Sequence, residues 1–484
     1  MADEFVDVLV VGAGLSGIGA ACHLQKLCPD RSFAIVEARQ DLGGTWDLFR
    51  YPGVRSDSDM HTLGYSFRPW ADPKAIADGP AILSYLRETA REHGIDRKIR
   101  FGQRVVRADW SSRDARWTVQ LHRAQDDGAL SIQCEFLFMC SGYYDYAGGY
   151  QPAFPGQERF GGPLVHPQQW PRDLDCTGKR VVVIGSGATA VTLVPALADK
   201  AAHVTMLQRS PTWMVARPSV DQLSVRLRRR LPLRLALGVT RWKNVLLGMY
   251  VFRLCRRSPQ RMRQLLLGGV RRALGPQADI ATHFTPRYNP WEQRLCLVPD
   301  GDFFQAIRQG RASVVTDHIA TITEIGVQLQ SGATLEADII VSATGLTLAM
   351  LGNAELYVDG RRVEPSGTVN YKGLMYSGVP NMANTFGYTN ASWTLKADLT
   401  ARYVCRLLNH MRKTGARQCL VPPQGPDTPL LPWVDFSSGY FQRAADQLPR
   451  QGTAKPWKLN QNYLSDLFTL RFGAIDDGVL RFSN

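Results

Sequence analysis

The sequence has 484 residues, 44% hydrophobic and 21% charged, an ordinary globular composition with length for two or three well-buried domains. The stretch MADEFVDVLVVGAG has no basic leader region, and no window approaches the roughly 20 apolar residues of a membrane span, so a cytoplasmic protein is expected. Nine cysteines without a C-x-x-C pair exclude a disulfide framework and a thiolate zinc site, and the net charge of +14 leaves nucleic acid, an anionic membrane surface or phosphate-rich cofactors open.

In chain order, Val6, Val8, Leu9, Val10 and Val11 form a short β-branched run, which GAGLSG ends before a helical stretch reaching about Cys28. Gly12, Gly14 and Gly17 have the G-x-G-x-x-G spacing of a loop that brings backbone and a helix N-terminus against a pyrophosphate; Ser16 belongs to the same loop. Glu37 stands twenty residues after Gly17, at the end of a second strand, where an acid accepts hydrogen bonds from a ribose diol. Gly43 and Gly44 permit close backbone approach to a ring. Thr45 and Trp46 follow, and Trp46 either walls a cofactor or packs in the core. Val106 is a further expected contact.

A second copy runs from 180 to 209, with Gly185, Gly187 and Ala190 in the loop positions and Ala188 and Thr189 between them. Arg209 and Ser210 stand where the first copy has its acid. An arginine there suits a 2'-phosphate, which favours NADP over NAD; the alternative is a solvated surface residue. Each copy is followed by a buried-looking strand ending in glycine, EFLFMCSG and ADIIVSATG, so the chain is expected to leave the first unit near Gly142 and return near Gly345. The fold class is α/β: two doubly wound dinucleotide-binding domains with a helical insertion in the second. The expected division is 1–150 and 331–484 for an FAD domain, 151–217 and 284–330 for an NADP domain, and 218–283 for the insertion. Two different dinucleotides in one chain imply hydride transfer from NADPH into FAD. A disulfide reductase is excluded, because no redox cysteine pair accompanies the first loop.

Between the copies lies RFGGPLVHPQQWPRD, where Pro163, Pro167 and Pro171 stiffen an irregular connection carrying His166 and Trp170. Phe160, Gly162, His166, Trp170 and Pro171 match the fingerprint F-x-G-x-x-x-H-x-x-x-W-P, and GGTWDLFRYPGVRSD ends in Asp57. On these motifs the chain resembles the Baeyer–Villiger monooxygenases, the class B flavin enzymes. The resemblance implies that NADPH reduces FAD, that oxygen adds to give a flavin peroxide, and that ketones become esters or lactones while thioethers are oxygenated. It makes Arg294 the active-site cation, oriented by Asp57, and the His166 loop a relay of cofactor position. Gln293 departs from the family's usual lysine. Relatives that oxygenate sulfur or nitrogen carry Tyr or Phe in place of Trp170.

Between Gln222 and Arg272 stand fourteen Lys and Arg and no acid. This insertion reads as a solvated helical lid or as basic helices resting on an anionic bilayer, a peripheral seat on the inner face of the cell membrane. No nucleic-acid motif accompanies the charge. In GYTNASWTLKADL, Thr389, Asn390 and Ser392 are cap candidates for a helix whose positive end faces the flavin. A flavin-binding, membrane-associated interaction protein without catalysis is the non-enzymatic alternative.

Overall fold

A computed structural model describes residues 4–425 and 428–484; the start of the opening stretch and two positions of the motif-free segment 414–435 lie outside the described residues. Glu4–Val11 (β1) is followed by Leu15–Leu27 (α1) and Phe33–Val36 (β2). β1 runs parallel to β2 with Val11 opposite Val36, and both faces of Val8, Leu9 and Val10 are buried, which explains the unbroken apolar run. The sheet continues through Gln103–Ser111 (β3), Arg116–Arg123 (β4) and Gly128–Met139 (β5), where β3, β4 and β5 are antiparallel neighbours and β5 returns parallel to β1. Period-2 alternation of Trp117, Val119 and Leu121 buries one face of that hairpin.

The second sheet is parallel throughout its described strands: Leu164–Val165 (β6), Arg180–Ile184 (β7), His203–Gln208 (β8), Ala312–Thr316 (β9) and Ile339–Ser342 (β10), in the order β9-β8-β7-β10-β6. Beyond the expected return at 331, β10 still pairs with β7 in the second sheet, and the chain leaves that sheet only after Ser342. The proline-rich connection is not wholly irregular, since Leu164 and Val165 pair with Ile340 and Val341 and a 3-10 turn follows at Pro167–Gln169.

Ala188–Ala198 (α2) joins β7 to β8, repeating the strand-glycine-helix unit of β1 and α1. In both units the first glycine has a left-handed backbone, φ +103° at Gly12 and +135° at Gly185. A Cβ there would lie 2.7 Å from the Cys140 carbonyl oxygen and 2.3 Å from that of Ala343. Each loop is thus wedged against the strand that leaves its own sheet.

The insertion folds as Gln222–Arg230 (α3), Leu233–Arg257 (α4) and Pro259–Leu274 (α5). Its charge is not all solvated. Arg241 donates to the carbonyls of His61 and Gly64, Lys243 pairs with Asp221, and Arg256 pairs with Asp435. After Met382–Asn384, which pairs parallel to β5, Trp393–Thr414 (α6) packs against α1.

All nine cysteines are free and buried. No helix among the described residues is long and apolar enough to cross a membrane, and no group of three or more potential metal ligands occurs among them.

Candidate active site between the two glycine loops

A cavity of about 680 Å³ runs from the first glycine loop to the start of α2. Gly12, Gly14, Ser16, Glu37, Gly44, Thr45, Trp46 and Asp57 line it from the first unit; Ala188, Thr189 and Arg294 line it from the second. The N-termini of α1 and α2 begin at Gly14 and Gly187 with no side-chain cap and no acid in the first turn, which leaves their N–H groups for an anion. Glu37 is 5% exposed and accepts from the N–H groups of Ala13, at 2.7 Å, and Arg39, at 2.9 Å; burial nonetheless raises its pKa.

Arg294 Nε lies 2.7 Å from Asp57 Oδ2, on the cavity wall. Burial pulls the guanidinium pKa down, but Asp57 and the hydroxyls of Tyr143, Tyr440 and Tyr144 outweigh it, so the net shift is upward and the cation is held. The loop bearing Arg294 is pinned from the C-terminal segment, where the Ser437 N–H and hydroxyl both donate to the Glu292 carbonyl. The aspartate's loop is docked on the second unit. Burial pushes the Tyr51 phenol up to about 12, its hydroxyl bonds Thr189, and its ring packs on the core around α2.

His166 lies outside the cavity lining. Its Nδ1 accepts from the Gln168 N–H at 3.2 Å and its Nε2–H donates to the Gly345 carbonyl at 3.1 Å, an arrangement that only the neutral ring satisfies on both sides. Burial lowers its pKa, partly opposed by the Gly345 bond. Gln168 and Gln169 donate to the Asp145 and Ala147 carbonyls, and Tyr150 N–H bonds Gly345. The histidine loop therefore stitches both crossovers together. Phe160 and Trp170 pack beside the second unit's cores, and a Cβ on Gly162 would lie 2.2 Å from the Asp338 carbonyl oxygen.

Other expected residues are not brought to the cavity. Gly17, Gly185, Gly187 and Ala190 shape the loops without lining it. Val106 sits at a register shift of β3 while Gln103, Arg104 and Val105 reach the cavity. β8 ends at Gln208, so Arg209 and Ser210 project from the following turn, exposed. Ser392 occupies the N-cap of α6 without making a cap bond; its hydroxyl lies 2.6 Å from that of Thr62. Thr389 and Asn390 bond Gln461 instead of capping.

A model of the family described as flavin-binding monooxygenase-like matches residues 6–230. Over 482 residues, 99% of this chain and 98% of the relative, the sequence is 55% identical to the FAD-containing monooxygenase EthA of Mycobacterium tuberculosis. The chain belongs to the flavin-binding monooxygenase-like family. This flavin monooxygenase is also 47% identical to the probable FAD-binding monooxygenase AlmA of Acinetobacter baylyi, over 99% of this chain and 96% of that one. Among solved structures it resembles an oxidized steroid monooxygenase bound to NADP, with TM-score 0.73, 25% identity and coverage of 87% and 88% of the two chains. The open structure of cyclohexanone monooxygenase shares its fold, with TM-score 0.71 and 21% identity over 87% of this chain and 90% of that one.

Sequence reasoning missed the monooxygenase's tyrosine wall. Tyr143 and Tyr144 line the cavity with hydroxyls 3.0 Å apart, Tyr143 stacks on Trp393, and Trp393 Nε1–H donates to Ser16 at 2.7 Å. The signal was available in GYYDY, a tyrosine cluster directly after the strand that ends the first unit. Tyr388, also lining the cavity, donates to Asp466 at 2.7 Å, and the buried Lys396 donates to the same oxygen at 2.7 Å. Those pairings span seventy residues or more and left no local pattern.

Proposed function

We propose that this monooxygenase uses FAD and NADPH to convert ketones to esters or lactones and to oxygenate thioethers. The observation that carries the reading is the Arg294–Asp57 pair, 2.7 Å apart, on the cavity that both glycine loops adjoin. The residues present fit a flavin dinucleotide: two uncapped helix N-termini, a close Gly14–Gly44 approach in which a Cβ on Gly44, at φ +56°, would lie 3.1 Å from the Gly14 Cα, and a buried Ser141 hydroxyl on the lining with no partner among the described residues. Residues 12–17, Glu37 and residues 43–46 would hold FAD, and residues 185–190 with Arg209 would take NADPH. Bound FAD supplies the redox chemistry, accepting hydride from NADPH and activating molecular oxygen for transfer to the substrate.

The chain's own part is electrostatic and mechanical. Arg294 presents a permanent cation where negative charge develops on the oxygen being transferred, in a cavity with low-dielectric aromatic walls. Asp57 fixes the direction of its fork, and Tyr143 and Trp393 wall the space beside it. His166 and Trp170, outside the cavity, transmit position between the two units through the crossovers. We propose as their division 4–142 with 346–484 for the flavin unit, and 151–342, including the basic insertion, for the nicotinamide unit. Trp170 followed by Pro171 favours Baeyer–Villiger chemistry over a purely sulfur- or nitrogen-oxygenating enzyme.

A screen of ketones and thioethers that follows NADPH consumption and product mass tests the reading. Gain of one oxygen atom by a ketone, giving ester or lactone, is expected. Oxygenation of thioethers alone would leave the sulfur-oxygenating alternative, and NADPH consumption without oxygenated product would refute both.

A further inference from the structure

The long helix of the insertion carries an apolar stripe on its outer face as well as on its buried one. α4 has 25 residues, about 37 Å at 1.5 Å per residue, and buries Ala236, Leu237, Thr240, Asn244 and Val245. The opposite stripe, Leu235, Val239, Trp242, Leu246 and Tyr250, follows 3.6-residue spacing and is 42 to 63% exposed. A solvent face would carry polar side chains at those positions, and a contiguous apolar stripe marks a surface that something covers.

The neighbouring segment continues the pattern. Trp242 meets Tyr463 at 5.9 Å between ring centroids, and the turns after Tyr463 carry Phe468 and Phe472, 65% and 63% exposed. The exposed charges on α4 and beside Phe472 are mainly basic, with the exposed Asp435 paired to Arg256. Arg234, Arg253 and Arg257 on α4 and Arg471 beside Phe472 are exposed, and α3 adds Arg229 and Arg230. The acid of the neighbouring segment, Asp466, is buried against Lys396 and Tyr388.

We infer that the outer face of α4, with Phe468 and Phe472, is a docking surface for an anionic phospholipid bilayer. Apolar side chains with an aromatic belt enter the acyl boundary while the arginines meet lipid phosphates, the arrangement of a helix that lies in the interface. A nucleic acid would use the arginines but leave the leucines and phenylalanines exposed to water. The inner face of the same helix packs Val245 and Met249 against Tyr388 and Ala391, which line the flavin cavity. Docking therefore sets the cavity wall one helix away from the membrane, a position suited to substrates that partition into lipid.

The test is co-sedimentation of the flavin-loaded full chain with phosphatidylserine–phosphatidylcholine vesicles and with phosphatidylcholine vesicles alone. Binding to the anionic vesicles at low salt is expected, falling steeply as salt rises. The double variant Trp242→Ser, Leu246→Ser is expected to bind at least tenfold more weakly, with parental flavin content and parental NADPH oxidation in solution. Absence of binding at low salt overturns the inference. So does binding that the double variant leaves unchanged, which would be charge attraction alone. A parent that sediments as a dimer, dissociated by the double variant and not bound to vesicles, would assign the face to a second copy of the chain.

Discussion

Asp57 takes the Arg294 Nε–H through one oxygen, and its side chain remains 41% exposed to the cavity. Because arginine keeps its charge without a partner, Asp57→Ala removes orientation and leaves the cation. Flavin content and reduction by NADPH are expected to persist, while oxygenated product per NADPH consumed falls, more mildly than on loss of Arg294; unchanged coupling would make Asp57 a turn residue. Arg209 calls for a different readout, because its proposed role is a phosphate contact. Such a charge-assisted bond contributes on the order of 1.5–3 kcal/mol, so Arg209→Ala is expected to lose roughly ten- to hundredfold in NADPH affinity with little change for NADH. Equal losses in both titrations would make it a surface arginine. For His166 the sign follows from its lowered pKa. The folded state binds the proton less readily than the unfolded chain, so its contribution is present above the unfolded value of about 6.5 and is lost as pH falls through that value toward the folded one. Melting temperature is expected to drop below about pH 6.5, and His166→Gln is expected to shrink that drop. His61, whose pKa burial also lowers, contributes with the same sign and leaves a remainder in the variant.

At the scale of elements, the two glycine units are similar in backbone and different in consequence. Gly185→Ala introduces a Cβ 2.3 Å from the Ala343 carbonyl at φ +135°, which displaces the second loop. NADPH binding is expected to fail while flavin content stays near one per chain, and Gly12→Ala is expected to lose flavin instead; titration of NADPH against absorbance at the flavin band separates them. Both units, and the strand that follows each, were legible because their glycines and β-branched runs are local signals. The antiparallel β3–β4–β5 hairpin was not anticipated, since it is an elaboration on one edge of a parallel core. β10, which lies beyond the expected boundary at 331, pairs with strands more than 150 residues earlier, a long-range contact that no local period encodes. Ser392 shows the limit at a single cap. The sequence placed it correctly at the start of α6, but Thr62 from another element competes for its hydroxyl.

At the scale of the molecule, the proposed function depends on bringing the Asp57 loop, the Arg294 loop and the tyrosine crossover to one cavity. The family resemblance paired Asp57 with Arg294; the 2.7 Å geometry of that contact and the walls of Tyr143 and Trp393 exist only in the folded chain. The central claim is that the Arg294 cation serves oxygen transfer and is dispensable for taking up hydride. Its most direct test is anaerobic stopped-flow reduction of flavin-loaded Arg294→Ala by NADPH, followed by product analysis after admission of air with a ketone the parent oxygenates. The account predicts that the variant binds and reduces FAD, somewhat more slowly, and forms no oxygenated product. Arg294→Lys is expected to fail nearly as badly, its point charge missing the fork. Conversion of the ketone by Arg294→Ala at near the parental rate would contradict the account and leave Arg294 a structural partner of Asp57.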